Sequence, residues 1–176
     1  MKFKLSAVVL ANLLAVLASA APTNEAPAPE DGLVLSHTVE TTDGTLSYYV
    51  SGPDSVAITK RATCGPSVVS CSNNNQGNTN VCRSLLNAIQ TSGTVLGQKT
   101  RSVCKTSGAT CCVSWGSDVA DLHESNLYPG ALNIFNRCNG VTTPAGFVSG
   151  VSKRINLQGA CVVGCLSDRA TGCPSS

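Results

Sequence analysis

All ten cysteines of this chain lie between Cys64 and Cys173, and none precedes the dibasic pair Lys60-Arg61. An even number of cysteines in one short segment, behind a leader of secretory type, predicts five disulfides. The cysteines are Cys64, Cys71, Cys82, Cys104, Cys111, Cys112, Cys138, Cys161, Cys165 and Cys173. Each bridge is typically worth ~2–4 kcal/mol, by restricting the unfolded chain. Spacing alone leaves the connectivity open. One constraint is local: side chains alternate across a strand, so adjacent Cys111 and Cys112 face opposite ways and need different partners. Metal ligation is the rival use of such residues. The segment after Arg61 has one histidine, His123, and no Cys-x-x-Cys pair. Neither a metal nor another cofactor is therefore expected.

The remaining chain organises itself around that framework. Lys2 and Lys4 head an apolar run from Leu5 to Leu17, followed by the small residues Ala18-Ser19-Ala20. This pattern reads as a signal peptide over residues 1–20, cleaved after Ala20. The run is too short for a comfortable membrane crossing, so no transmembrane anchor is expected. Residues 21–61 carry six acids against two bases, a formal charge of −4, whereas residues 62–176 carry eight bases against four acids, a charge of +4. Lys60-Arg61 at the border is a substrate pattern for kexin- or furin-type proteases. Residues 21–61 therefore read as an acidic propeptide and 62–176 as a mature cysteine-rich domain. Two β-rich runs, LVLSHTVET and TLSYYV, flank Asp43-Gly44 and predict a hairpin inside the propeptide. The charge split has two readings: the ordinary acidity of a disordered leader, or an opposite charge that would help the hairpin dock on the basic body.

Within the body, Val81, Leu85 and Ile89 recur at helical spacing, with Asn80 or Thr79 as cap and Gly93 as stop. TRSVCK and ATCCVSW read as a hairpin. SNLYPGALNIFNRCNG reads as a second helix, capped by Asn126, with Pro129 in its first turn and Gly140 as stop. SKRINLQG and ACVVGCLS are further strands around Gln158-Gly159, and Cys173 pins the tail. The resulting fold class is α+β: a small disulfide-rich sandwich, two helices on a small antiparallel sheet.

CCVSW, the helix ending in Cys138, and GACVVGCLSDRATGC together resemble the WD-like domain of small fungal secreted proteins, over most of residues 62–176. The resemblance implies a secreted cysteine-rich fungal protein and brings no catalytic residues with it. No blade repeat of a propeller is visible, despite the family's name. In element order and cysteine number the chain is also similar, more distantly, to virus-encoded fungal killer toxins and extracellular effector proteins, which are small α/β sandwiches.

Three functional readings follow. The leading one is a non-enzymatic effector, killer-toxin-like or antimicrobial factor acting at cell surfaces, with a cell-surface or cell-wall component as partner. Lys99, Arg101, Lys105, Lys153 and Arg154 form its expected basic binding patch. A body charge of +4 and only four aromatics after Arg61 (Trp115, Tyr128, Phe135 and Phe147) argue against nucleic acid. The second reading is a small hydrolase of ribonuclease type, with His123 and Glu124 as acid and base beside Arg137 or Arg154. The third is a wall-associated structural protein. The polar loop SNNNQGNTN, residues 72–80, is a further candidate contact surface. Trp115 reads as core.

Overall fold

The computed structural model describes residues 32–53, 63–141 and 143–174. The expected signal peptide, Ala20 and the Lys60-Arg61 pair lie outside the described residues.

Among the described residues, nine strands and two helices follow one another. The strands are β1 (Leu33–Thr41), β2 (Gly44–Ser51), β3 (Val68–Cys71), β4 (Gly77–Asn78), β5 (Thr100–Thr106), β6 (Thr110–Trp115), β7 (Phe147–Val148), β8 (Gly150–Leu157) and β9 (Ala160–Ser167). The helices are α1 (Thr79–Thr91) and α2 (Tyr128–Cys138), with a 3₁₀ turn over Glu124–Leu127 leading into α2. Seven strands form one antiparallel sheet in the order β1-β2-β5-β6-β9-β8-β3. Strands β4 and β7 pair separately.

The sheet dominates, so the expected α+β sandwich needs correction. Both helices are present and pack on the sheet, α1 against β5 and β6, α2 against β3, β8 and β9. The sheet, however, is wider than the body alone would make it. The hairpin expected around Asp43-Gly44 exists, and it adds two strands through the β2–β5 register Thr45↔Thr106, Leu46↔Lys105, Ser47↔Cys104, Tyr48↔Val103 and Tyr49↔Ser102.

Alternation along the strands explains the packing. Val103, Val113, Trp115, Val162 and Leu166 meet Leu85, Leu86, Ile89, Ala131 and Ile134 of the helices in one core, and Trp115 is 1% exposed. Asn78 caps α1, its Oδ1 accepting from the backbone N–H of Asn80 and Val81, one position before the expected cap. The helix stops at Ser92 rather than Gly93. Asn126 does not cap α2, because the 3₁₀ turn already supplies bonding there: the Asn126 N–H donates to the His123 carbonyl. Pro129 sits in the first turn of α2, and Gly140 follows the C-cap Asn139 in the left-handed region at φ 68.

The cysteines pair as Cys64–Cys161, Cys71–Cys138, Cys82–Cys111, Cys104–Cys112 and Cys165–Cys173. Two bridges tie helices to the sheet: Cys82 of α1 to β6, and Cys138 of α2 to β3. By strand alternation the other three lie on the sheet's second face. There Cys104 and Cys112 form a small cluster with Ala170 of the tail, against which Tyr49 packs. Cys111 and Cys112 do take different partners, one toward the helix layer and one across to β5.

Gly77 makes one of these bridges possible. A Cβ there would lie 2.8 Å from Cys82 Sγ, 3.1 Å from the Ser167 carbonyl oxygen and 3.2 Å from Cys111 Sγ. Two of those atoms belong to a disulfide and one to backbone, so none yields easily. Gly77→Ala is expected to cost about 1–3 kcal/mol by overpacking. Gly93→Ala, with nothing within 4 Å, should stay within ~0.5 kcal/mol of wild type. Urea unfolding of both variants checks this.

Candidate functional site

The five basic residues of the expected patch do not form one surface. Lys99, Arg101 and Lys105 belong to the β5 region, which is interior to the sheet because the hairpin occupies its outer edge. Lys99 Nζ donates to the Pro53 carbonyl at 3.1 Å. Arg101 Nε donates to the Trp115 carbonyl at 2.5 Å, and its guanidinium lies 3.8 Å from the Asp118 carboxylate. Lys105 is 2% exposed, its Nζ 2.6 Å from Asp43 Oδ1. The signal for this was present in the sequence. Lys105 stands two residues from Val103 and so shares its core-facing side.

Lys153 and Arg154 remain, on β8, separated from β5 by β6 and β9. Both are exposed, flanked by buried Ser152 and Ile155. A regular strand would turn one of two adjacent residues inward. Here the β8–β9 register slips between Ser152↔Gly164 and Ile155↔Val162, which places an extra residue in β8. Arg154 takes the left-handed conformation at φ 63, a state that costs a non-glycine residue free energy and recurs at functional bulges. The bulge thus turns two consecutive cations outward. Nothing in the local residue pattern announces it.

Arg154 borders a cleft of about 240 Å³, lined also by Ser67, Asn133, Asn156, Pro129 and Gly130. Its polar members come from three elements: the segment before β3, helix α2 and strand β8. Asn133 Nδ2 donates to Ser67 Oγ at 3.3 Å, while Arg137 Nε donates to Asn133 Oδ1 at 3.3 Å, fixing the carboxamide between them. Among the described residues neither Lys153 nor Arg154 enters an ion pair. The cleft offers the Arg154 guanidinium and neutral hydrogen-bonding groups from Ser67, Asn133 and Asn156, with exposed Lys153 next in the chain. Such groups can donate hydrogen bonds to an anionic or hydroxyl-rich ligand.

The His123 and Glu124 pair is divided by the fold. His123 is exposed, and its backbone N–H donates to Gln158 Oε1 at 2.7 Å. Glu124 is 2% exposed; it accepts from Ser92 Oγ at 2.6 Å and from the Tyr48 hydroxyl at 3.4 Å. Burial raises its carboxyl above the ordinary value, against the two hydrogen bonds that lower it. Tyr48 is pushed up to about 12 by its own burial and then by the Glu124 charge. Arg137 ends α2 and Arg154 sits in the β8 bulge, so the four residues form no common exposed site.

The polar loop of residues 72–80 is built into the body. The Asn75 carbonyl accepts from the Asp168 N–H, and Asn78 is the α1 cap. It borders a second, open cleft of about 500 Å³ with Asp43, Ser84 and Gly108.

A seven-stranded antiparallel sheet carrying two helices on one face, with five disulfides and a cleft at a strand bulge, defines a disulfide-stabilised scaffold. Among the described residues no helix is long and apolar enough to cross a membrane. A family model described as Fungal WD-like matches residues 32–173, and the chain belongs to that family. The match begins at the hairpin rather than after Arg61. No curated protein matches, and no solved structure does.

Two acids, one exposed and one buried, give the stability opposite pH slopes. Asp43 is held well below the carboxylate range, first by its hydrogen bond from Lys105, then by those from Ser84 and Thr41. Its contribution is present above an unfolded value near 3.8 and is lost as pH falls below that toward its lower folded value. Glu124 is raised, so its contribution is present below an unfolded value near 4.5 and is lost as pH rises through the higher folded one. The urea midpoint should therefore peak on the acid side of neutrality. Glu124→Gln should remove the decline above the peak, so that its advantage over wild type grows with pH. A variant whose midpoint falls in parallel with wild type would contradict the assignment.

Proposed function

We propose that the protein is an extracellular fungal factor that acts by binding an anionic component of a cell surface or wall through the Lys153-Arg154 cleft. The observation that carries this reading is the β8 bulge, which holds Arg154 in an unfavourable backbone state, turns Lys153 and Arg154 outward and sets Arg154 at a cleft whose apolar floor bears the polar side chains of Ser67, Asn133 and Asn156. Five disulfides suit an oxidising compartment and make the scaffold rigid, so that recognition need not be accompanied by ordering. In this reading the chain is secreted after cleavage at Ala20 and cut again after Arg61. Its action on the bound cell is that of an effector or toxin-like factor, not of an enzyme. Family membership is compatible with a disulfide-stabilised secreted protein.

The test is cosedimentation of the purified protein with intact fungal and plant cells and with their isolated walls, together with growth or host-response assays. Wild type should bind in a salt-sensitive manner, because exposed charges are screened beyond ~10 Å at 0.1 M salt. Lys153→Ala/Arg154→Ala should reduce retention at least about five-fold, from loss of two phosphate- or carboxylate-pairing groups. Equal retention of the double variant, or none across the cell panel, would overturn the assignment of this cleft.

A further inference from the structure

The hairpin of β1 and β2 is bound to the body without any cysteine, since none precedes Cys64. Its attachment is nevertheless that of an internal element. Leu46 is 8% and Tyr48 5% exposed, both in the main core, while Tyr49 packs on the Cys104–Cys112 cluster of the opposite face. The hairpin therefore grips both faces of the sheet. Its two ends are held by polar contacts. At the turn, Asp43 receives Lys105 Nζ at 2.6 Å and Ser84 Oγ at 2.5 Å. At the other end, Ser51 Oγ donates to Asp118 at 2.8 Å and the Ser51 N–H to the Lys99 carbonyl at 2.8 Å. Midway, the Tyr48 hydroxyl donates to buried Glu124.

Removal of the hairpin would undo each of these. Strand β5 would become a bare edge of seven residues, with Val103 uncovered, an arrangement that natural sheets avoid. Lys105, folded inward on the core-facing side of β5, would lose its carboxylate. Opposite charges of −4 and +4 on residues 21–61 and 62–176 favour the docked state at longer range. The family match from residue 32 includes the hairpin in the common domain.

We infer that the β5 edge is a strand-acceptor site whose resident partner is the Leu33–Ser51 hairpin, so that the chain cut after Arg61 is a non-covalent two-chain particle and not a domain freed of its leader. The inference rests on the processing reading above only for the natural cut. The hairpin's retention is a property of the interface and can be tested apart from it. A recognition sequence for a site-specific protease is inserted directly after Arg61 in the full chain, the folded protein is cut, and native mass spectrometry is compared with denaturing mass spectrometry. One-to-one association under native conditions, with two fragments on denaturation, is the expected result. Release of the hairpin, whether the body stays soluble or aggregates, would overturn the inference. Asp43→Asn, cut after folding, should release its hairpin roughly ten-fold faster, the scale of a charge-assisted hydrogen bond; a release rate equal to wild type would remove Asp43 as the latch. The denaturing mass of the untouched protein from culture medium judges the processing reading separately: an intact chain there refutes cleavage after Arg61 and leaves the interface result standing.

Discussion

Adjacent Cys111 and Cys112, in the middle of the sheet, are the point from which the rest of the structure is held. Strand pleating sends one thiol to each face, so a single strand is bridged to α1 above and to β5 beside it. Strand β6 thereby fixes the helix layer and the sheet register together. Gly77 leaves space for the Cys82–Cys111 bridge, and the tail brings Ala170 over Cys104–Cys112. The two longest loops, Cys64–Cys161 and Cys71–Cys138, enclose sequence separations of 97 and 67 residues. In the chain-entropy account such long closures constrain the unfolded state most, roughly 4–5 kcal/mol each. Rigidity is thus concentrated in the body, between β3 and the tail.

The hairpin is held by different physics. No bridge reaches it, and its grip depends on apolar burial, strand pairing and a few charged hydrogen bonds. Asp43 and Lys105 form a half-buried pair: the ammonium is shielded and the carboxylate is largely in solvent. Such a pair is weak as a source of net stability. Breaking it by removing the acid alone is costly, because the buried cation remains. Glu124 and Tyr48 make the complementary arrangement, a buried acid capped by a phenol from the hairpin. One segment therefore carries both the partner of the body's buried cation and a donor to its buried anion. That dependence makes the hairpin part of the fold, although the charge split and the dibasic pair are the pattern expected of a leader.

Much of the architecture was legible in local pattern. The two helices, the three hairpins around Asp43-Gly44, Ser107-Gly108 and Gln158-Gly159, and the burial of Trp115 follow from periodicity and turn chemistry. The divergence of Cys111 and Cys112 follows from alternation alone. The cap of α1 was missed by a single residue, because Asn78, Thr79 and Asn80 are all competent caps and only chain direction selects among them. The basic patch failed for a larger reason. Counting cations along a sequence ignores what each one meets in the fold: Lys105 is buried against Asp43, Arg101 is half-buried on the Trp115 carbonyl, and Lys99 reaches the Pro53 carbonyl. The candidate cleft was half legible: Lys153-Arg154 was visible as a dibasic pair, but the bulge that turns both outward depends on the register against β9.

Composition and spacing by themselves determined that this chain would be a cysteine-stapled fold of strands and two short helices with an oppositely charged N-terminal segment, because cysteine number, apolar period and charge are read directly along the chain. Which cysteines meet, which lysine is buried, and whether the acidic segment belongs to the sheet were decided only by the tertiary structure. Those outcomes depend on pairings between residues tens of positions apart, such as Asp43 with Lys105 and Cys64 with Cys161. No local rule ranks one such pairing above another until the strands have taken their order and the two faces of the sheet have been filled.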